Sequence, residues 1–216
     1  MNRATLELTQ KIQMHFPLDI DLDVLRAWNG CQKEFLQSCL MEVFSKMPKM
    51  KKLLELIGTI DISATLEPFI AKEKFVVNTD SDAKVKIYSL GENFENNFLG
   101  KVENPIGKST LYYFKLLKRL VDDSIMEELG GKDKVESSLY EMYSLMEKQG
   151  HGQAGILLTN GYANIFYIRD NVGVLWAVGC GWDVDGWRVN AYSVAGPDEW
   201  GGGSQVFSRN PPVSQS

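Results

Sequence analysis

The sequence predicts an α+β fold in which a C-terminal antiparallel β-meander packs on helices and an N-terminal helical segment precedes it. Three observations predict it. Apolar residues recur at helical spacing in the first third of the chain and again in its middle. From Gly155 onward the spacing changes to the alternation of a strand. The turn pairs Asn160-Gly161 and Asp185-Gly186 separate apolar runs, as they do in hairpins.

The chain is predicted to divide into three parts. Residues 1–71 form a mostly helical segment, residues 72–210 an α+β domain, and residues 211–216 a disordered tail. A length of 216 residues and a hydrophobic fraction of 44% are enough for a substantial core. A folded domain is therefore expected over most of the chain.

Helices dominate the expected elements before residue 100. One helix ends before Pro17, a second begins at Asp21 or Asp23 and ends before Pro48, and residues 50–57 form a short amphipathic helix. The elements expected after it are strands over 59–63, 75–78 and 84–89, and a helix over 92–99.

Two further helices are predicted before the meander. Ser109 is a good N-cap, and apolar positions at helical spacing follow it up to Gly130-Gly131, which end the helix. Asp133 and Glu136 resemble a capping box, so they predict the start of the second helix.

The meander is predicted from a series of strands. They cover residues 156–159, 164–169, 174–182 and 187–194, and residues 205–208 are predicted as a final edge strand. A two-residue loop at Asp185-Gly186 pairs Trp182 with Val189. The apolar face of that hairpin then carries Trp176, Val178, Cys180, Trp182, Val184, Trp187, Val189 and Ala191. The opposite face carries Ala177, Gly179, Gly181, Asp183, Arg188, Asn190 and Tyr192.

The second face of this hairpin has few large side chains. A row of such positions indicates the close approach of a neighbouring segment or of a ligand, and the neighbouring segment is the favoured interpretation. The three tryptophans on the first face are expected to pack in the core, although tryptophans on a sheet also stack on sugars.

The composition argues against several classes of partner. Acidic residues number 28 and basic ones 23, and a net charge of −5 provides no basic surface for nucleic acid. No apolar run reaches the roughly 20 residues of a membrane helix, and the first residues lack the apolar stretch of a signal peptide. Three cysteines at wide spacing indicate a reducing, cytoplasmic compartment.

Several short segments follow one another in a distinctive order. Residues 75–77 read F-V-V, a lysine-rich strand follows at 84–87, residues 109–111 read S-T-L, and residues 206–210 read V-F-S-R-N. In this order the chain resembles a set of uncharacterised, hypothetical bacterial proteins of the candidate-phylum type, over about residues 74–210. The resemblance implies no activity, but it implies that the N-terminal helices are a separable part.

The sequence contains only parts of two motifs that would predict a bound cofactor or metal. Gly107-Lys108-Ser109 ends like a phosphate-binding loop, but Val102 stands where that pattern needs its first glycine. Likewise, Gly181 stands two positions before Asp183, where a calcium loop would carry another acid. The sequence therefore predicts no metal and no cofactor.

One set of residues would suit catalysis. His151 lies between glycines in the connection to the sheet, where it could act as a base. It could meet Cys180 or Asp183 in space to form a nucleophile-and-base pair, and an enzyme of this kind would use His151 with Asp183 or Asp185. Whether these side chains converge is not determined by the sequence.

A second set of residues would suit binding. Trp200 lies outside the predicted strands and is the candidate exposed anchor. Arg188, Asn190, Tyr192 and Asp183 share the side-chain-poor face of the hairpin and complete this set.

The sequence favours a non-enzymatic binding or assembly module that engages a protein partner or a second copy of itself. The grounds are the absence of a complete catalytic motif and the polar, glycine-lined sheet face. Two alternatives stay open. One is a hydrolase or transferase of unfamiliar type that uses His151, and the other is a carbohydrate-binding sheet.

Overall fold

A computed structural model describes residues 52–211 and, before them, residues 30, 35, 37–39 and 41–42. By compactness the chain divides into two units, Met1–Met50 and Lys51–Ser216, and each is described by itself. In the first unit, residues 35, 37–39 and 41–42 are helical. The rest of the helices predicted before residue 50, and the predicted tail beyond residue 211, lie outside the described residues.

Strands outnumber helices in residues 52–211. The strands are β1 (Leu54–Ile62), β2 (Phe69–Ile70), β3 (Ile87–Leu90), β4 (Val102–Glu103), β5 (Ser109–Leu116), β6 (Leu120–Val121), β7 (Asn164–Arg169), β8 (Leu175–Trp182), β9 (Trp187–Ser193), β10 (Glu199–Trp200) and β11 (Gln205–Ser208). The helices are α1 (Ala71–Lys74), α2 (Glu92–Phe98), α3 (Asp122–Glu128) and α4 (Leu139–Lys148). None of these helices is long and apolar enough to cross a membrane.

Seven of the strands form one mixed sheet in the order β1-β5-β11-β7-β8-β9-β3. The β11–β7 and β3–β9 pairs are parallel, and the other pairs are antiparallel. The predicted fold, a C-terminal antiparallel meander packed on helices, is therefore wrong. Only β7, β8 and β9 are consecutive hairpin neighbours. The other positions are filled by strands from distant parts of the chain, which turn residues cannot reveal.

A hydrophobic cluster packs on each face of the sheet. On one face its side chains pack with α2, α4 and the residues around α1, and we call this cluster the first core. On the other face they pack with α3, and we call this cluster the second core. From the strands, the first core contains Leu111, Phe166, Val178, Trp187 and Phe207. The second core contains Phe114, Ile165, Tyr167, Ala177 and Val206.

Strand β11 lies in the middle of the sheet, although residues 205–208 were expected at its edge. It pairs antiparallel with β5 and parallel with β7, and every one of its residues is buried. Burial on both faces is typical of a central strand. A run this short carries too little periodicity to show which strands flank it.

The chain beyond β11 is held against helix α4. Arg209 Nε donates to both carboxylate oxygens of Glu141, at 2.8 and 3.0 Å. Glu141 is 0% exposed and also accepts from Ser109 Oγ at 2.7 Å. The V-F-S-R-N segment is thus a structural element, because it supplies a central strand and the cation for a buried carboxylate.

Strand β5 occupies the first part of the helix predicted from Ser109. Leu111 and Phe114 have helical spacing, but they lie in different cores, on opposite faces of the sheet. A strand that is buried on both faces can therefore imitate the spacing of a helix. The β-branched and aromatic residues Thr110, Tyr112 and Tyr113 favour the strand. Only the end of the predicted helix survives, as α3, and it stops at Gly130 as predicted, where φ is 98°.

Strand β1 replaces the amphipathic helix predicted over residues 50–57. Its pairing with β5 shifts between Leu56 and Gly58, which marks a β-bulge at Ile57. The bulge changes which face the following residues point to, so Leu54 lies in the second core and Ile62 in the first. Because the bulge breaks the alternation of side chains, the sequence pattern did not predict the nine-residue strand β1.

Other predicted elements had mixed outcomes. The helix predicted over 92–99 is confirmed as α2. The helix predicted from Asp133 begins instead at Leu139, since the capping box is formed by Ser138 and Glu141. Residues 156–159 form no strand, and of 75–78 only Asn78 pairs, through an isolated bridge.

The faces of the β8–β9 hairpin are as predicted, but its register is not. Trp182 pairs with Trp187 and Cys180 with Val189, so residues Asp183 to Gly186 form the loop. The register differs from the predicted one by two residues. Because side chains alternate with a period of two, this slip leaves the residues within the two strands on their predicted faces. Val184, predicted on the apolar face, and Asp183, predicted on the opposite face, lie instead in the loop, and Val184 is 87% exposed.

Candidate functional site

The three catalytic candidates have separate surroundings. His151 Nε2 lies 2.9 Å from the backbone oxygen of Ala83. Cys180 is buried in the first core, and this burial raises the pKa of its thiol. Asp183 lies 3.9 Å from Arg188 in an exposed ion pair. Among the described residues, no hydrogen bond or ion pair joins any two of the three candidates, so they form no base–nucleophile pair.

The binding candidates Arg188, Asn190, Tyr192 and Trp200 do come together. Alternate residues of β9 place the first three on the face away from the first core. All four line one small cavity of about 70 Å³. Asp183 does not line it and remains at the hairpin loop.

Glycines of β8 make room for Trp200 at this cavity. A Cβ added to Gly179 would lie 3.1 Å from Cη2 of Trp200. At Gly181 the nearest atom to such a Cβ is the backbone oxygen of Tyr162, at 3.9 Å. The predicted neighbour of the glycines is therefore the indole ring of Trp200, from β10, and the ring approaches β8 at Gly179 and not at Gly181.

Trp200 is held from several sides. Strand β10 pairs with β6, which places Trp200 opposite Leu120. The indole Nε1 donates to Asp122 Oδ1 at 2.9 Å. The ring of Tyr192 is perpendicular to the indole, at 87° with centroids 5.2 Å apart. Trp200 is thus half-buried and fixed, not the freely exposed anchor expected from sequence.

Asp122 is a site residue that sequence analysis missed. It is 3% exposed, and its Oδ1 accepts hydrogen bonds from Tyr167 Oη at 2.7 Å and from Trp200 Nε1. Burial raises the pKa of the Asp122 carboxyl, although these two hydrogen bonds act against it. In the helix predicted from Ser109, Asp122 would have been one more solvent-facing acid, so no local signal distinguished it.

A second and larger cavity adjoins the first. Its volume is about 330 Å³. It is lined by Asp122, Tyr192, Ser193, Asp198, Glu199 and Trp200. We call it the acidic–aromatic cavity, because three carboxylates and two aromatic rings form its wall and none of these lining residues is basic. The two cavities share Tyr192 and Trp200 and are therefore contiguous.

Comparisons with known proteins add no assignment. No family model, curated protein or solved structure matches this chain. The resemblance to uncharacterised bacterial proteins therefore stays a prediction. Within the described residues, no group of three or more His, Cys, Asp or Glu side chains could hold a metal ion.

Proposed function

We propose that the protein is a non-enzymatic binding module that engages a protein partner through the two contiguous cavities beside β9. The main support is that Arg188, Asn190, Tyr192 and Trp200 meet at one concave place. Binding sites combine such a concave surface with a few polar groups of fixed orientation. Because Trp200 is already held by Asp122 and Tyr192, little side-chain freedom is lost when a partner binds.

The geometry gives less support to the two alternatives. A hydrolase based on His151 would need a nucleophile near that ring, and the buried Cys180 thiol with its raised pKa is a poor one. A sugar-binding surface would need tryptophans side by side on an open face. Instead, Trp187 is fully buried in the first core, and Trp200 and Tyr192 are perpendicular rather than coplanar.

The same proposal includes where the module works and what it does not bind. Cys39 and Cys180 are free thiols, which suits the reducing interior of a cell, so we place the module in the cytoplasm. A net charge of −5 and a cavity walled by carboxylates oppose binding to nucleic acid.

Site-specific photocrosslinking tests this proposal. A benzophenone amino acid replaces either Tyr192 at the cavity or Leu66, an exposed residue in the loop after β1, in cells that make the protein naturally. We expect a discrete protein adduct from position 192 and none from position 66. Equal adducts from both positions, or none from position 192, would contradict a partner at this face.

A glycan array and tryptophan fluorescence address the sugar alternative. The protein is screened against a panel of glycans, with the Trp200→Ala variant as control. We expect no glycan to change the fluorescence. A change that Trp200→Ala abolishes would favour a carbohydrate ligand over a protein partner.

A further inference from the structure

The acidic–aromatic cavity has the chemistry of a receptor for an organic cation. Its wall combines the carboxylates of Asp122, Asp198 and Glu199 with the rings of Tyr192 and Trp200. Aromatic faces attract ammonium and guanidinium groups through the ring quadrupole, and tryptophan does so most strongly. The rings of Tyr192 and Trp200 are perpendicular, with centroids 5.2 Å apart, and both line the cavity.

The carboxyl group of Asp122 is an independent indication of a ligand. Both hydrogen bonds that it receives go to Oδ1, and among the described residues none goes to Oδ2. No enclosed side-chain oxygen in the described part of the chain is left without a partner. Oδ2 is therefore not enclosed without a partner, and Asp122 lines the acidic–aromatic cavity. A side chain that is only 3% exposed thus brings to the cavity wall a carboxyl group whose Oδ2 accepts no hydrogen bond from the described residues.

Among the described residues that line the cavity, none is a cation that would neutralise these acids. The guanidinium of Arg188 lines only the smaller cavity. The arrangement leaves the larger cavity negative and the smaller one polar and partly positive. A peptide could place a cationic side chain in the larger cavity while its backbone carbonyls face Arg188 and Asn190.

We propose that the acidic–aromatic cavity binds one lysine or arginine side chain of the partner protein. This inference rests on the proposed function, because it names the ligand chemistry of the same site. The cation lies against the indole of Trp200 and the ring of Tyr192, and it pairs with Oδ2 of Asp122. Asp198 and Glu199 surround it at the cavity rim.

NMR titration with small probes tests the charge requirement. The signal of the Trp200 indole N–H is assigned from its loss in Trp200→Phe. The probes are Nα-acetyl-lysine amide and Nα-acetyl-arginine amide, with the neutral norleucine and citrulline analogues as controls. We expect the cationic probes to shift this signal in a saturable way and the neutral analogues to leave it unchanged. Equal shifts from cationic and neutral probes, or no shift up to solubility, would overturn the inference.

Charge-neutralising variants show where the cation binds. Asp198→Asn with Glu199→Gln keeps the shape of the rim and removes its charge, while Glu67→Gln removes an exposed charge from the loop after β1. We expect the double variant to weaken binding of the cationic probes by about fivefold or more, and Glu67→Gln to leave it unchanged. Unchanged binding in the double variant would overturn the inference.

The photocrosslink at position 192 separates this inference from the proposed function. If the adduct persists at full yield in the double variant, a partner binds this face but not through a cation. If the adduct is absent when the benzophenone amino acid stands at position 192 and the rest of the chain is wild type, the proposed function fails as well. If the double variant loses the adduct and Glu67→Gln keeps it, both statements are supported.

Discussion

The two faces of strands β8 and β9 have different surroundings, although their residues alternate along the same two strands. On the first face, Val178, Cys180, Trp187 and Val189 are fully enclosed in the first core. On the second face, Arg188 is exposed and Tyr192 is 40% exposed. Helices α2 and α4 contribute to the first core, whereas α3 covers only part of the second face.

This difference separates stability from binding within one pair of strands. Because neighbouring side chains point to opposite faces, a residue that fixes the core stands next to one that is free to meet a ligand. The side chains of the first face are held in place because they bury apolar surface in the first core. The second face leaves a cavity, where Trp200 is positioned by its hydrogen bond to Asp122 and by the ring of Tyr192. Substitutions on the two faces should therefore have different kinds of effect.

The largest effect on stability is expected from the first face. Trp187 is 0% exposed, and its Nε1 donates to the backbone oxygen of Gln149 at 3.1 Å. Trp187→Ala should lower the free energy of unfolding by about 3–5 kcal/mol, through lost burial and an unfilled cavity. Urea denaturation measures this.

Trp200→Ala is the matched control for that substitution. It removes the same type of side chain from the second face, where the indole is only half-buried. We expect a smaller loss of stability and a complete loss of partner binding. Equal losses of stability for the two variants would contradict the difference between the faces.

The ion pair between Arg209, which follows β11, and Glu141 of α4 should have the next largest effect on stability. Arg209→Met removes the cation from fully buried Glu141. Breaking a buried pair costs about 3–5 kcal/mol, and because Arg209 is 38% exposed we expect about 2 kcal/mol. Thermal and urea unfolding both report it.

An exposed ion pair provides the contrast. Lys132 and Asp123 lie 3.6 Å apart with both side chains exposed. Lys132→Met should change stability by less than about 0.5 kcal/mol, as surface pairs generally do. A larger loss from Lys132→Met than from Arg209→Met would show that the contact to Glu141 is not a structural one.

Glycine substitutions on β8 should have a moderate effect that depends on position. In Gly179→Ala the new methyl group meets the indole of Trp200, so the ring must move; we expect a loss of about 1 kcal/mol and a shifted indole N–H signal. In Gly181→Ala the methyl group has room, and stability should be unchanged within about 0.5 kcal/mol. If Gly181→Ala lowered stability more than Gly179→Ala, the contact with Trp200 would not be the reason for a glycine at position 179.

The smallest effects concern two aspartates that each accept a hydrogen bond from a tryptophan. Burial raises the pKa of Asp122, beside Trp200, above its ordinary value of 3.8. At Asp170, beside Trp176, burial acts in the same direction. There, however, hydrogen bonds from the indole and from the backbone N–H groups of Val174 and Val172 outweigh it and lower the pKa.

These opposite shifts predict opposite pH dependences. A raised folded-state pKa stabilises the protein below the unfolded pKa, and this contribution is lost as the pH rises through the folded pKa. Wild type should therefore lose stability relative to Asp122→Asn as the pH rises from 3.8, the ordinary pKa, through the raised folded-state pKa. Asp170 contributes above its unfolded pKa, so the advantage of wild type over Asp170→Asn should shrink as the pH falls. Urea unfolding at several pH values measures both, and parallel trends would contradict the assigned causes.

The sequence revealed local geometry better than the order of the strands. It placed Arg188, Asn190 and Tyr192 on one face of a hairpin, and this assignment is insensitive to a slip of two residues. It also located residues 205–208 as a strand. It did not reveal that this strand lies between β5 and β7, because nothing within so short a run encodes its neighbours.

The acidic part of the candidate site lay beyond sequence reasoning for a related reason. Asp122 meets Trp200 only because two-residue strands, β6 and β10, pair across a long separation in the chain. Neither strand has enough residues to show an alternation. Asp198 and Glu199 therefore carried no signal in the sequence analysis, and they line the same cavity as Asp122 because β10 pairs with β6.

The central place of β11 determines when the sheet can close. Ribosomes release the chain from its N-terminal end, so β5 and β7 emerge long before the strand that joins them. Until then each presents an unsatisfied edge, a state in which nascent chains are open to wrong pairings and to chaperones. If translation stops before residue 205, the chain lacks β11. The pair β1–β5 and the group β7–β8–β9–β3 then cannot join into one sheet.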